Sequence, residues 1–315
     1  MDGAEAVPRA AVPRTGPSRP ARLGVGVVSA GRVGAVLGAA LARAGHHVFA
    51  ASGISRASVH RAAALLPDTP LLPPDEVVQR ADLVLLAVPD DVLPGLVRGL
   101  AAAGCFRSGQ IVAHTCGRYG VGVLAPASEH GVLPLALHPV MTFTGRPEDL
   151  QRLVACPVGV TVPTSGAGDC GVAWSVGEAL VVEMGAEPVR VPEAARPLYH
   201  AALAHGANHL VTLVRDCAEL LAAAGVEPAE LLIAPLLSAA LDNALRHGDR
   251  ALTGPVARGD TDTVRAHLRA LTETSPAAAA TYRALAERTA TRASGAGLLS
   301  EHAVGEVRSV LRETS

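Results

Sequence analysis

The stretch from Leu23 to Arg56, LGVGVVSAGRVGAVLGAALARAGHHVFAASGISR, constrains this chain more than any other. Val25 to Ser29 are apolar or small and predict a short strand buried on both faces. A glycine-rich turn, Ser29-Ala30-Gly31-Arg32-Val33-Gly34, comes next. Val33, Val36, Leu37, Ala40, Leu41 and Ala44 then recur at helical spacing, and Gly45 suits a helix C-terminal cap. His47 to Ala51 predicts a second strand. Strand, glycine turn, helix and strand in that order are the context in which a glycine fingerprint means dinucleotide binding.

Each position of the turn has a physical task. Gly31 lets the backbone approach a pyrophosphate, and Gly34 lets the helix pack close to its strand. Free N–H groups of residues 29–34 would hold the phosphate charge at the helix start. Ser29 stands where the first glycine of G-x-G-x-x-G belongs, a departure that costs more than glycine in an unusual backbone conformation. A ribose-binding acid is expected at the end of the second strand for NAD. Ser52 occupies that place, and no Asp or Glu occurs between Glu5 and Asp68. Ser52, Ser55 and Arg56 instead suit a 2′-phosphate, so the expected cofactor is NADP(H).

At 315 residues the chain is long enough for two domains. A charged fraction of 18% and a formal net charge of −2 give no footprint for nucleic acid or a membrane surface. No uninterrupted apolar run approaches a membrane span. Residues 1–21 are rich in Ala, Pro and Arg without the apolar core of a signal peptide, which predicts a disordered leader and a cytoplasmic protein. Five cysteines without a C-x-x-C pair fit reduced thiols. All 27 basic residues are arginine, so lysine Schiff bases and lysine acids are excluded.

The remaining pattern predicts a helix over 57–66, a short edge strand over 69–72, a helix over 74–80 and a strand over 83–88. After that strand Val88-Pro89-Asp90 is expected to lie over the cofactor, with the Pro89-Asp90-Asp91 turn capping a helix that runs to Ala103. A strand over 110–114, a helix over 120–130 and a strand over 133–137 complete a parallel, doubly wound α/β (Rossmann) sheet. A strand over 158–162, a helix over 169–184 and a strand over 187–191 read as an appended βαβ unit. From Glu193 the chain is helical: 195–224, 228–247, 260–271, 276–291 and 300–312. The expected domains are therefore 22–192 for the dinucleotide and 193–315 for substrate and dimerisation.

Ligands of an open α/β sheet sit at the carboxyl ends of its strands. His114-Thr115-Cys116-Gly117 and the run from His138 to Gly145 land there. A histidine of ordinary pKa can exchange a proton with the oxygen or nitrogen beside a carbon that receives hydride, and His138 is the first choice. Thr115 and Cys116 read as positioning groups, and Thr142 as a substrate contact. On the long helix, His205, Asn208 and His209 fall within one turn, with His205 and Asn208 able to bond substrate. The i, i+4 histidines lack a third ligand, so no metal is assigned. Arg258, in a Gly-Pro and Gly-Asp loop ending at the N-cap residue Asp260, could clamp a carboxylate.

These residues together resemble a family of Rossmann-like bacterial oxidoreductases with a helical C-terminal domain of unassigned function. The resemblance rests on VVSAGRVGAVLGAALARAGH, AVPDDVL, HTCGRYGVGVLAP, LALHPVMTFTG and ALTGPVARGDTDTV. It extends in plan to pyrroline-5-carboxylate reductase, ketopantoate reductase and prephenate dehydrogenase. It implies an NADP-linked fold. His138-Pro139 is similar to the H-P-M-type motif of prephenate dehydrogenases, whose histidine bonds the substrate hydroxyl; Val140 and Met141 depart from it. Ketopantoate reductase and the β-hydroxyacid dehydrogenases use an interdomain lysine, and here His205 stands near that place. The expectation is an NADP(H)-dependent oxidoreductase acting at a C=O or C=N carbon of a small anionic molecule, as a homodimer through its helical domain. The alternative is an NADP(H)-binding sensor or scaffold without turnover.

Overall fold

The computed structural model describes residues 22–164 and 170–313. The expected leader over 1–21 and the Asp169 start of an expected helix lie outside them. Contacts divide the chain into two compact units, Met1–Ala202 and Leu203–Ser315.

The first unit runs β1 (Gly24–Val28), α1 (Arg32–Arg43), β2 (His47–Ala51), α2 (Arg56–Leu65), α3 (Pro74–Arg80), β3 (Leu83–Leu86) and α4 (Leu93–Ala102). It continues with β4 (Ile111–His114), a 3-10 turn (Val121–Leu124), α5 (Ala125–Ser128), β5 (Leu133–Pro139), α6 (Asp149–Arg152), β6 (Pro157–Thr161), α7 (Cys170–Glu183) and β7 (Glu187–Arg190). A 3-10 turn (Glu193–Ala195) leads into α8 (Arg196–Ala223), which runs on into the second unit.

The strands form one sheet in the order β2-β1-β3-β4-β5-β6-β7, parallel except between β5 and β6. This is the doubly wound Rossmann plan. The order reverses between β1 and β3, which opens a crevice at their carboxyl ends. Both faces of the sheet are covered. Helix α1, eight residues of which are buried, packs with α2 and α7 on one face; α3 and α4 pack on the other. Burial on both faces is why β1, β3 and β4 read as continuous apolar runs.

Four expectations need correction. The pair β6 and β7 is a parallel βαβ unit, but β6 enters the sheet antiparallel to β5. The connection between them carries only the four-residue α6, with no helix long enough to return the chain along the sheet. Residues 69–72 make one bridge, Ala51 to Leu71, rather than a strand. The helix expected over 120–130 is a 3-10 turn followed by the four-residue α5. The Glu193 carboxylate accepts from the Val121 and Gly122 amides (2.8 and 3.0 Å) and sets that turn. Asp91 does not cap α4, whose N-cap is Val92 with no side-chain bond.

The second unit holds most of α8, then α9 (Ala229–His247), a 3-10 turn (Gly248–Ala251), α10 (Pro255–Arg258), α11 (Thr261–Thr274), α12 (Pro276–Gly295) and α13 (Glu301–Arg312). Its core joins α10 to α13 through Val256, Val264, Leu268, Ala290 and Val307. Asp260 caps α11 by accepting from the Thr263 amide, as its sequence position predicts. Helix α9 is different: only Ala229 and Ile233 are buried along it. Among the described residues, no helix is long and apolar enough to cross a membrane.

Candidate active site

The glycine turn between β1 and α1 has the geometry its residues demand. Ser29 adopts φ +77°, the left-handed region in which glycine is unstrained. Two bonds from the end of β2 hold it: the Ser29 amide donates to Ser52 Oγ (2.8 Å), and the Ala30 amide to the Ser52 carbonyl (2.6 Å). Gly34 is sterically obligatory, because a Cβ there would run into the Ser29 carbonyl oxygen and reach Ala87 Cβ at 3.0 Å. A Cβ on Gly31 would meet only Ser29 Oγ, at 3.4 Å, so the space beyond Gly31 is open. Helix α1 begins at Arg32 with no side-chain cap, and its first amides, on Arg32 and Val33, are free for an anion.

The expected ribose end is partly occupied by structural work. Ser52 is buried and holds Ser29. Ser55 caps α2 by accepting from the Ser58 amide at 3.1 Å. Arg56 is exposed at the first turn of α2. Arg32 and Arg61 flank Gly145, where a Cβ would meet Arg61 Nε at 2.7 Å and Arg32 Cγ at 3.1 Å. Among the described residues, none of these three arginines forms an ion pair. The loop that carries Gly145 is held by buried Asp149, which accepts from the Thr144 and Gly145 amides, each at 2.7 Å. Burial pushes the Asp149 carboxyl up, and those amides outweigh it to hold it below the usual range. Thr142 lies exposed in the same loop.

At the carboxyl end of β4, His114 is fully buried and structural. Its Nε2 bonds the Gly120 carbonyl (2.9 Å), and its Nδ1 accepts from the Cys116 amide (3.2 Å). Burial lowers its pKa to about 4, so the ring is neutral. Thr115 is half-buried, its amide spent on the Leu86 carbonyl. Cys116 is buried, and burial first, then the neighbouring Asp90 carboxylate, push its thiol up to about 12. A thiol of that kind is no nucleophile. Val88 and Pro89 lie beyond the carboxyl end of β3, as the sequence order requires.

His138 is the penultimate residue of β5, paired in register with Gly159 of β6. Its Nδ1 bonds the Tyr199 hydroxyl at 2.9 Å, and its ring meets those of Tyr199 and His200 edge-on, at 5.6 and 6.0 Å between centroids. Gly117 makes room for this group: a Cβ there would fall 2.6 Å from His200 Cδ2 and 2.8 Å from His138 Nε2. The ordinary pKa expected of His138 is not found. Burial first, then the charges of Arg196 and His200, lower it to about 4. Arg196 is the buried cation of the site, with Nε to Thr161 Oγ1 (2.7 Å), Nη2 to the Ala136 and Gly159 carbonyls (2.9 Å each) and Nη1 to the Cys116 carbonyl (3.4 Å).

Sequence reasoning missed Arg196, Tyr199 and His200. They sit at the start of α8, within RPLYH, and periodicity alone gives no sign that this turn faces the ends of β4 and β5. A usable signal was present: three polar or aromatic residues crowd the first turn of a helix entered just after Pro192. The other named residues belong to the second unit. His205 and His209 bond each other through Nδ1 at 3.1 Å on the exposed face of α8, and Asn208 is exposed beside them. Arg258 ends α10, ahead of Gly259 at φ +71°.

Comparison with known proteins agrees with this architecture. A Rossmann-like domain model matches residues 10–139. The second match, over residues 167–289, is to the domain of unknown function DUF2520, so a Rossmann-like domain is followed by a DUF2520 domain. No curated protein matches it in sequence. Among solved structures it is similar to a Bacteroides fragilis protein described as an NADP oxidoreductase: 20% identity, TM-score 0.70, 86% of this chain and 98% of that one. A Thermotoga maritima protein aligns at 18% identity and TM-score 0.62 over 87% and 99%. An imine reductase from Pseudomonas sp. aligns at 19% and 0.59 over 88% and 96%. At such identities the likeness is one of fold.

Proposed function

We propose that the protein is an NADP(H)-dependent oxidoreductase acting at a C=O or C=N carbon of a small anionic molecule, with His138 at the reacting heteroatom. The observation that carries this reading is the convergence of His138 Nε2 and His200 over Gly117, beside the crevice that Gly31 and Gly34 keep open. Similar structures described as an NADP oxidoreductase and an imine reductase support it.

The turn fits a dinucleotide: the open space over Gly31 is what a diphosphate fills, and the Arg32 and Val33 amides would hold it. Arg56, with Arg32 and Arg61 near Gly145, would take a 2′-phosphate, and no acid at the end of β2 competes for a 2′-hydroxyl. A nicotinamide dinucleotide held by these groups would supply or take the hydride. His138 holds the proton at the heteroatom, Thr115 and Thr142 orient the molecule, and the Arg196 charge favours an anion. The protein is further proposed to work as a cytoplasmic homodimer.

The test is a thermal shift with each of the four nicotinamide dinucleotides, followed by a panel of ketoacids and imines with wild type and His138→Ala. NADPH should raise the melting temperature more than NADH, and the variant should keep that shift while losing turnover. Binding without turnover across the panel would leave the sensor reading. No shift with any dinucleotide ends both.

A further inference from the structure

We propose that Tyr199 and His138 form a proton relay that presents an N–H, not a lone pair, to the substrate, and that the substrate atom bonded there is one with a free lone pair, a carbonyl oxygen and not the nitrogen of a protonated imine. This deepens the preceding reading and rests on it. Tyr199 acts through His138 and is a positioning residue.

The first argument is the direction of one hydrogen bond. Among the described residues, the Tyr199 hydroxyl has a single partner, His138 Nδ1 at 2.9 Å. A phenol is a good donor and a poor acceptor, whereas an unprotonated imidazole nitrogen is a strong acceptor. The phenol O–H therefore donates to Nδ1, and the ring proton of the neutral imidazole must sit on Nε2. The second argument is space. Nε2 packs beside Gly117, where even a methyl would crowd it at 2.8 Å, so only a glycine there leaves it uncovered, and among the described residues it has no hydrogen-bond partner. A neutral imidazole N–H with no partner in the protein can polarise a carbonyl without becoming a cation. A protonated imine has no lone pair on nitrogen to accept it.

The third argument is Arg196. It is 1% exposed, and among the described residues it has no carboxylate partner; its bonds go to three carbonyls and one hydroxyl. A buried cation with no carboxylate in ion-pair contact is expensive to keep. Its guanidinium lies 5.6 Å from the centre of the Tyr199 ring, so a phenolate formed on Tyr199 would find its counter-charge in place. The relay uses that charge. As the carbonyl carbon gains hydride from the nicotinamide, the C=O π pair moves to oxygen, which takes the proton from Nε2. Nδ1 takes the phenol proton, and the phenoxide pair stays on Tyr199. The phenolate later recovers the Nδ1 proton while Nε2 takes one from water, so the net uptake is one hydride and one proton. The imidazole is never an imidazolium, in keeping with its lowered basicity.

Two measurements on the full chain test the proposal. Nitrogen-15 NMR of labelled histidine, with His138→Gln to assign the signal, should show the Nε2-protonated tautomer of His138 near neutral pH. In Tyr199→Phe that signal should become a mixture of tautomers. The Nδ1-protonated form in wild type overturns the proposal whether or not a substrate is known. With a ketoacid that the wild type reduces, Tyr199→Phe should lower kcat by about a hundredfold or more with KM and the NADPH thermal shift little changed. Unchanged kcat overturns the relay. Absence of any turnover in wild type counts against the oxidoreductase reading, and the tautomer measurement then still decides this one.

Discussion

Acid should weaken this fold through His114 before it titrates the carboxylates. In the native state His114 is fully buried, with Nε2 on the Gly120 carbonyl and Nδ1 accepting from the Cys116 amide. A proton added at Nδ1 would meet an amide N–H and lose a bond. Burial, and then the nearby Arg196 and His138 charges, lower its pKa from 6.5 to about 4. The sign follows directly. Between those values the unfolded chain binds a proton that the native chain refuses, so stability rises with pH through the window and is fully present above about 6.5. From about pH 7 to about pH 5 the loss from this one group is about 2 kcal/mol. His138, also lowered to about 4, acts in the same sense, and the comparison with a His114 variant isolates the His114 part. The lowered carboxyls of Asp82 and Asp149 lose their stabilisation only as pH falls from their ordinary value of 3.8, below this window. Urea midpoints at about pH 7, 6 and 5 for wild type and His114→Gln provide the assay. The variant, which keeps a side-chain amide donor but nothing to titrate, should be less stable near neutrality. Its pH dependence should be shallower by about 2 kcal/mol over the window. Parallel pH curves for the two proteins would refute the assignment of His114 as a neutral, buried histidine.

Two further outcomes follow from packing. Gly34→Ala should cost about 1–3 kcal/mol in urea unfolding and abolish the NADPH thermal shift, because its Cβ collides with the Ser29 carbonyl and separates α1 from β1. Wild-type values for both would show that the turn is not as tight as drawn. Helix α9 exposes Leu231, Leu232, Leu236, Leu241 and Leu245, far more apolar surface than a solvated helix normally keeps. Light scattering at micromolar concentration should find a dimer, and Leu236→Glu with Leu245→Glu should find a monomer. A monomeric wild type sinks that reading.

How much of this was legible in the sequence depended on how local the cause was. The β1-α1-β2 unit follows from apolar runs and two glycines whose tasks are local, so its elements were readable almost residue by residue. The antiparallel entry of β6 was not, because strand direction depends on what the preceding connection can span, and α6 has no strong periodicity. The 3-10 turn at Val121–Leu124 is set by Glu193, some 70 residues away, and no window of local propensity contains that carboxylate. His138 was found because it lies near the end of a strand beside a known crevice. Its pKa was missed for the same reason as its partners: burial and Arg196 arrive from β6 and α8. Ser52 and Ser55 were read as phosphate contacts from position alone, but one holds the β1 turn and the other caps α2.

The absence of lysine ties the site together. A lysine placed among these groups could be both the cation and the acid, since its pKa moves readily on burial. Arginine cannot take the second role: burial lowers the basicity of Arg196, but a guanidinium stays charged in a protein and gives up no proton near neutrality. In a chain whose 27 basic residues are all arginine, the fixed charge and the mobile proton must therefore reside on different side chains. Arg196 supplies the charge, bonded to carbonyls that hold it in place without cancelling it. Burial first, and then that charge, depress His138 and make an imidazolium a poor proton store, which leaves the neighbouring phenol as the source. Replacing Arg196 by Met should accordingly raise the pKa of His138 at the same time as it loosens β5 from β6, and a histidine titration in that variant separates the electrostatic effect from the structural one. An unchanged His138 titration in a folded Arg196→Met protein would mean that burial alone sets the ring, and the division of labour argued here would fail.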